Sequence, residues 1–305
     1  MFQCAVNLSE GRNPELLERV RIEMEKLPGV ILANLSMDPD HHRMVVSLLG
    51  KESGLTLAIL RLFELASEFI DLRIHQGVHP RIGAVDVIPF VPLGGTPMGR
   101  ARDLALETAR QIAKNFQVPL ILYEESAQRP ENRALPDLRR GGLEGLAQRL
   151  QQIPPDFGPP QPHVQLGATI LGARRPLVAF NLMLNTDNLE IARDIARSLR
   201  ASNGGLPSVR ALGLRLESTQ RMQISINLTD PEQVDLWQVY DAAEKLCAQQ
   251  GVEIVSSELI GLAPARSFLQ LAQHHLRMPD LEPGQLLEWN FLHQAWRLED
   301  IDETR

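Results

Sequence analysis

The sequence predicts an α+β fold: two ferredoxin-like (βαββαβ) subdomains with mixed or antiparallel sheets facing each other. Three observations carry that expectation. The order strand, helix, strand, strand, helix, strand is legible once in the first half and again in the second. Segments rich in proline and glycine punctuate the chain between the two readings. And 305 residues with 44% hydrophobic content suffice for two ordinary domains, each with its own core.

The first reading begins with the short apolar stretch Cys4 to Leu8. A helix starts near Pro14, since Leu16, Leu17, Val20, Met24 and Leu27 share one helical face, and Pro28-Gly29 ends it. Val30 to Leu35 is a strand, Asp38 to Arg43 a polar corner, and Met44 to Leu49 the returning strand. Gly50 and Gly54 bracket a turn before an amphipathic helix from Leu55 to Phe69, and Ala84 to Val91 closes the unit. Additional material follows: a helix from Ala101 to Phe116, a strand from Leu120 to Tyr123, and a helix from Leu143 to Ile153. Pro154 to Pro160 reads as a linker, and Gly167 to Arg174 as a glycine-containing turn. The boundary is placed after it, giving subdomains 1–175 and 176–305.

The second reading runs from a strand at Leu177 to Leu184 into N-cap candidates Asn185, Thr186 and Asp187. Ile191, Ile195 and Leu199 mark the helix, which Ser202 to Gly205 breaks. Val209 to Leu216 and Met222 to Leu228 form a strand pair. Val234 to Gln250 is a helix, and Val252 to Val255 the closing strand. The tail beyond residue 268 reads as helical, with Trp289 and Trp296 as packing residues. Residue-level identity between the halves is not visible, so the repeat is one of pattern. Each sheet then carries helices on one face, and two open faces laid together leave a groove.

A net charge of −7 and a pI near 5.7 argue against a broad nucleic-acid surface, while leaving room for a local arginine cluster that holds small anions. Cys4 and Cys247 lie far apart without CxxC spacing, so neither a disulfide framework nor a structural zinc site is expected. No run of about 18 apolar residues and no secretion signal is present, so the expectation is a cytoplasmic protein without a membrane partner.

Chemistry concentrates in three places. The densest is His75 to Asp86, a loop with two histidines, an arginine and an aspartate before a strand. His75 and His79 have the spacing of a metal-binding helix, but Gly77 and Pro80 interrupt it and no HExxH follows, so no metal is expected. A hydrogen-bonded turn histidine is the plain alternative. The second place is the corner Asp38-Pro39-Asp40-His41-His42-Arg43, which can also be only a polar hairpin turn. The third is Gly167 to Arg175, which lacks GxGxxG and P-loop spacing yet pairs a glycine turn with guanidinium groups suited to carboxylates.

The stretches Val6 to Arg12, Asp38 to Arg43, His75 to Pro89, Gly172-Ala173-Arg174, Ala179-Phe180-Asn181 and Ser256 to Pro264 span nearly the whole chain. Through them the chain resembles the formiminotransferase domain of formiminotransferase-cyclodeaminase and the free-standing glutamate formimidoyltransferases. The run His-Pro-Arg-Ile-Gly-Ala-Val-Asp-Val is the most specific. The resemblance implies two ferredoxin-like subdomains with facing sheets, a folate tunnel between them and a homodimer. It implies transfer of a formimidoyl group from N-formimino-L-glutamate to tetrahydrofolate, the one-carbon acceptor, in histidine degradation. It implies that His79 is the acid/base residue. Arg43, His42, Asp40, Arg81, Gly172 and Arg174 are the candidates for substrate binding. A formyl donor, or a folate-binding paralogue without catalysis, are the other readings. The chain departs from the family pattern at Ser36, His42, Ile74 and Val78: the family usually has a basic residue before the first histidine, where Ile74 stands, and Glu before the catalytic one, where Val78 stands.

Overall fold

Residue alternation builds the first strand. In β1 (Phe2–Leu8), Phe2, Cys4, Val6 and Leu8 are buried and the residues between them half-buried, the period of a sheet packed mainly on one face. The Asn13 side-chain oxygen then accepts hydrogen bonds from the backbone N–H groups of Glu15 and Leu16, at 3.0 and 3.1 Å, and starts α1 (Pro14–Glu25). β2 (Val30–Asp38) and β3 (Arg43–Gly50) pair antiparallel across the corner. α2 (Glu52–Phe69) leads on to β4 (Val85–Pro92). The computed structural model describes residues 1–75, 80–216 and 220–289.

The material after β4 extends the same sheet. α3 (Met98–Phe116), β5 (Leu120–Leu122), α4 (Leu135–Leu138), α5 (Gly142–Gln152) and β6 (Thr169–Ala173) follow in order. The sheet runs β2-β3-β1-β4-β6-β5, with β4, β6 and β5 mutually parallel and the rest antiparallel. Along β4 and β6 the side chains alternate between two cores. Ile88, Phe90 and Leu171 join the large core with α1, α2 and α3. Val87 and Ile170 join a smaller one beneath Leu138 of α4 and Leu146 and Leu150 of α5. This parallel half is therefore covered on both faces, as parallel strands require.

The second unit is β7 (Val178–Leu184), α6 (Leu189–Leu199), β8 (Val209–Arg215), β9 (Met222–Leu228), α7 (Leu236–Gln249) and β10 (Ile254–Ile260), with α8 (Ala265–His275) after it. Its sheet, β10-β7-β9-β8, is antiparallel throughout. Both β2-β3-β1-β4 and β8-β9-β7-β10 set the first strand between the third and fourth, the ferredoxin-like order. The fold is thus α+β, and the chain divides into compact units of residues 1–175 and 176–305.

Several sequence expectations need correction. Gly54 lies inside α2, and only Lys51 separates β3 from that helix. The segment Gly167 to Arg174 is mostly the strand β6, because Thr169 to Ala173 pair with β4 and β5. Pro154 to Pro160 is not a free linker: the buried Asp156 carboxylate accepts from Leu122 N at 2.7 Å, and Phe157 O accepts from Leu120 N at 2.8 Å. Asn188, not Asn185 to Asp187, caps α6, since its side chain accepts from Glu190 N, while Asn185 accepts from Glu253 N at 2.6 Å. The closing strand runs through Ile260 rather than stopping at Val255, and α8 ends at His275. Trp289 is 42% exposed rather than packed, and Trp296 lies outside the described residues. No described helix is long and apolar enough to cross a membrane.

Candidate functional site

The corner between β2 and β3 is fastened by its first aspartate. One oxygen of Asp38 accepts from the backbone N–H groups of Asp40 and His41, each at 2.9 Å, and the other meets His41 Nδ1 at 2.6 Å. Burial alone raises the Asp38 pKa, but the His41 ring and the two backbone donors outweigh it and hold the carboxyl at about 2. His42, the next residue, adopts a left-handed backbone with φ 50°, which turns its ring inward to 9% exposure.

The loop after β1 seats on this corner. A Cβ at Gly11 falls 2.2 Å from Asp38 O and 2.4 Å from Arg43 N, so only glycine allows the two backbones to approach. Arg12 Nε donates to Pro39 O at 3.0 Å. Glu10 Oε1 accepts from Arg12 N at 2.7 Å and lies 3.0 Å from His42 Nε2. The loop's other side is tied to the end of β4, where Ser9 Oγ donates to Gly83 O at 2.7 Å and Ser9 N to Ala84 O at 2.8 Å.

A third segment completes the cluster. The His75 ring stacks on His42, centroids 4.0 Å apart. Burial first, and then the positive charges of Arg81 and His42, push the His75 pKa down to about 4, so this ring is neutral at neutral pH. Arg81 Nη2 donates to His75 O at 2.9 Å. Asp86, 2% exposed, accepts from Ile82 N and Gly83 N through Oδ1, at 2.7 and 3.2 Å, and from the Arg139 guanidinium through Oδ2.

Positive charge gathers around that carboxylate. Burial lowers the Arg43 pKa most and the neighbouring Arg139 lowers it further, against Asp38 and Asp86. Burial also lowers that of Arg81, against Glu144 and Asp86. Three guanidinium groups thus lie in electrostatic reach of Asp86, in half-buried surroundings where charge is poorly screened. Such a site suits ligands that carry carboxylates, which the guanidinium fork binds in two-point fashion.

Of the residues singled out in the sequence, Asp40, His42, Arg43 and Arg81 come together here. Gly172 and Arg174 do not. β6 pairs Gly172 with Pro89 and Ala173 with Phe90, and Phe90 pairs with Cys4, whereas Arg43 follows the corner beside the Leu8 end of β1. About four strand residues, or roughly 13 Å, separate the two ends. Gly172 is needed for packing, since a Cβ there falls 2.8 Å from the Tyr123 ring, and Arg174 hydrogen-bonds Tyr123. His79 and Val78 lie outside the described residues. Ile74 is 81% exposed. Sequence reasoning did not assign Glu10 or Arg139. Glu10 was visible in the Val6 to Arg12 motif, but nothing in the sequence ties Arg139 to Asp86 across 53 residues.

The fold and this arginine-rich corner define an α+β protein of two split-βαβ units with a site suited to small anionic substrates. Residues 1–174 match the formiminotransferase domain, N-terminal subdomain, and residues 179–283 match the formiminotransferase domain. The chain belongs to the formiminotransferase family. It is 36% identical to the glutamate formimidoyltransferase of Streptococcus pyogenes serotype M1, over 96% of this chain and 99% of that one. It is 35% identical to the glutamate formimidoyltransferase of Thermoplasma acidophilum, over 94% and 96% respectively. With the formimidoyltransferase-cyclodeaminase of Rattus norvegicus it shares 35% identity over 89% of this chain, which corresponds to 52% of the longer rat protein.

Proposed function

We propose that this protein transfers the formimidoyl group of N-formimino-L-glutamate to tetrahydrofolate. The observation that carries the reading is the end-to-end correspondence with a glutamate formimidoyltransferase, 36% identical over 99% of that relative. The chemistry of the corner supports it, because both substrates carry carboxylates and Arg43 and Arg81 are cations held in half-buried positions.

In this mechanism a ring nitrogen of tetrahydrofolate attacks the formimino carbon, and a new C–N bond forms as the carbon becomes tetrahedral. His79 accepts the proton that the attacking nitrogen loses. It returns that proton to the glutamate nitrogen as the bond to the carbon breaks, and glutamate leaves as the amine. An imidazole with an ordinary pKa near 6.5 serves both steps. Arg43 and Arg81 orient carboxylates, with His42 and Asp40 beside them. Gly172 and Arg174, toward the Cys4 end of β1, are the further candidates for substrate binding. The same reading makes residues 1–175 and 176–305 the N- and C-terminal formiminotransferase subdomains of a cytoplasmic homodimer in histidine degradation.

Purified protein incubated with tetrahydrofolate and N-formimino-glutamate is expected to release glutamate and form formimidoyl-tetrahydrofolate. Turnover of N-formyl-glutamate alone replaces the donor in this reading with a formyl one. Folate binding with turnover of neither donor overturns the enzymatic reading.

A further inference from the structure

The second unit carries a side-chain cluster that the transfer reaction leaves unused. Asp241 projects from the middle of α7, and His274 and His275 from the last turn of α8. His274 Nε2 lies 3.1 Å from Asp241 Oδ2, and His275 Nε2 lies 3.6 Å from Asp241 Oδ1. One ligand atom from each residue falls within 4.8 Å of the others.

We propose that Asp241, His274 and His275 form a binding site for a divalent transition metal of the zinc class. Bonds of about 2.0–2.2 Å to nitrogen and oxygen place tetrahedral ligands about 3.4 Å apart, near the spacing of each imidazole from the carboxylate oxygen it faces, and small side-chain rotations bring all three ligand atoms to one ion. Two imidazoles and a carboxylate are the donor set zinc takes when three positions come from protein and water fills the fourth. Two further features favour a cation. Asp241 Oδ1 is buried and has no hydrogen-bond partner, an acceptor that a metal ion satisfies. Both histidines also stand at the C-terminal end of α8, where the helix dipole favours positive charge.

The rings are held rather than loose. His274 stacks on Trp237 with centroids 3.8 Å apart, and His275 meets the Tyr240 ring edge-on. With 37–43% of each side chain exposed, an ion has a path in and room for water ligands. A bound ion joins α8 to α7.

The test uses the full chain stripped with a chelator and titrated with zinc chloride by calorimetry. Binding of one ion per chain is expected, with a thermal midpoint that rises as zinc is added. Changes beyond the first coordination sphere weaken metal sites about 10–100-fold, so Asp241→Asn and His275→Ala, each removing a ligand, are expected to weaken binding by about 100-fold or more. Asp241→Asn keeps the side chain's shape. Its melting curve in chelator is expected to match the parent's, which separates ligand loss from misfolding. Cobalt chloride gives a second readout, since the visible band of tetrahedral cobalt is expected in the parent and not in the variants. Undiminished zinc affinity in both variants overturns the site by placing the ion elsewhere, such as at His42 and His75. Absence of zinc binding by the parent at micromolar concentrations overturns it as well.

Discussion

The imidazole of His42 lies flat against that of His75, centroids 4.0 Å apart and planes 7° from parallel. This contact joins the β2–β3 corner to the segment that precedes the proposed acid/base residue. Glu10 fixes the outer end of the stack, 3.0 Å from His42 Nε2. His42→Asn removes the ring while tolerating the left-handed backbone at φ 50°. It is expected to lower kcat/KM by about tenfold or more, or roughly 1.4 kcal/mol of transition-state stabilisation. It also opens His75 to water, so the His75 pKa should climb from about 4 toward its usual value. Proton NMR titration of the ring resonances reads that shift, and a pKa still at 4 in the variant counts against the stack as a cause.

His75 also makes folding pH-dependent, with a defined sign. Its folded pKa of about 4 lies below the ordinary imidazole value of 6.5. Between those values the unfolded chain binds a proton that the folded chain refuses, so stability falls as pH drops through this window. The ring is only half-buried, which reduces the full linkage value to on the order of 1–2 kcal/mol. Asp38 acts in the same direction but lower, because its carboxyl at about 2 loses its contribution only as pH falls below about 3.8. Urea unfolding of the parent and of His75→Gln at pH 7, 5.5 and 4.5 separates the two. The parent should lose more stability across that range, and parallel curves refute the assignment.

Asp86 and Arg139 form the buried ion pair beneath the site, with side-chain exposures of 3% and 14%. Asp86→Ala strands the guanidinium and leaves the N–H groups of Ile82 and Gly83 without their acceptor. Breaking such a pair from one side costs about 3–5 kcal/mol. Arg139→Met costs less, because Asp86 keeps both backbone donors and the methionine fills much of the arginine's volume. Equilibrium denaturation should rank the variants in that order, and equal losses argue that the backbone bonds carry little.

The fold was legible where a single period ran long enough to be read. The alternation in Phe2 to Leu8 and the apolar face from Leu16 to Met24 both appear as the sequence implies. β6 was not legible, because Thr169 to Ala173 are buried on both faces and a five-residue run with a glycine has no period to count. The linker expectation failed for a related reason: Pro154 to Pro160 has a linker's composition, yet Asp156 and Phe157 bond to β5, a contact visible only in three dimensions. In the site, Asp40, His42, Arg43 and Arg81 were legible as dense polar runs. Strand register sets Arg174 toward the Cys4 end of β1, away from the corner, a separation that a glycine-flanked run does not display in sequence.

Arg43 and His79 occupy different places in the proposed reaction, and their kinetics should divide accordingly. A guanidinium that only holds carboxylates contributes equally to the ground state and the transition state. Arg43→Ala is then expected to raise KM by about tenfold or more with little change in kcat. Loss of stability is not the cause to expect, since burial and the like charge of Arg139 already disfavour the Arg43 cation. A proton carrier works only in the transition state, so His79→Ala should lower kcat by roughly 10²–10⁴-fold with KM near the parent value. Steady-state rates with both substrates varied, alongside circular dichroism to confirm folding, decide between them. A raised KM for His79→Ala at near-parent kcat makes that histidine a binding group and removes it from the proton path.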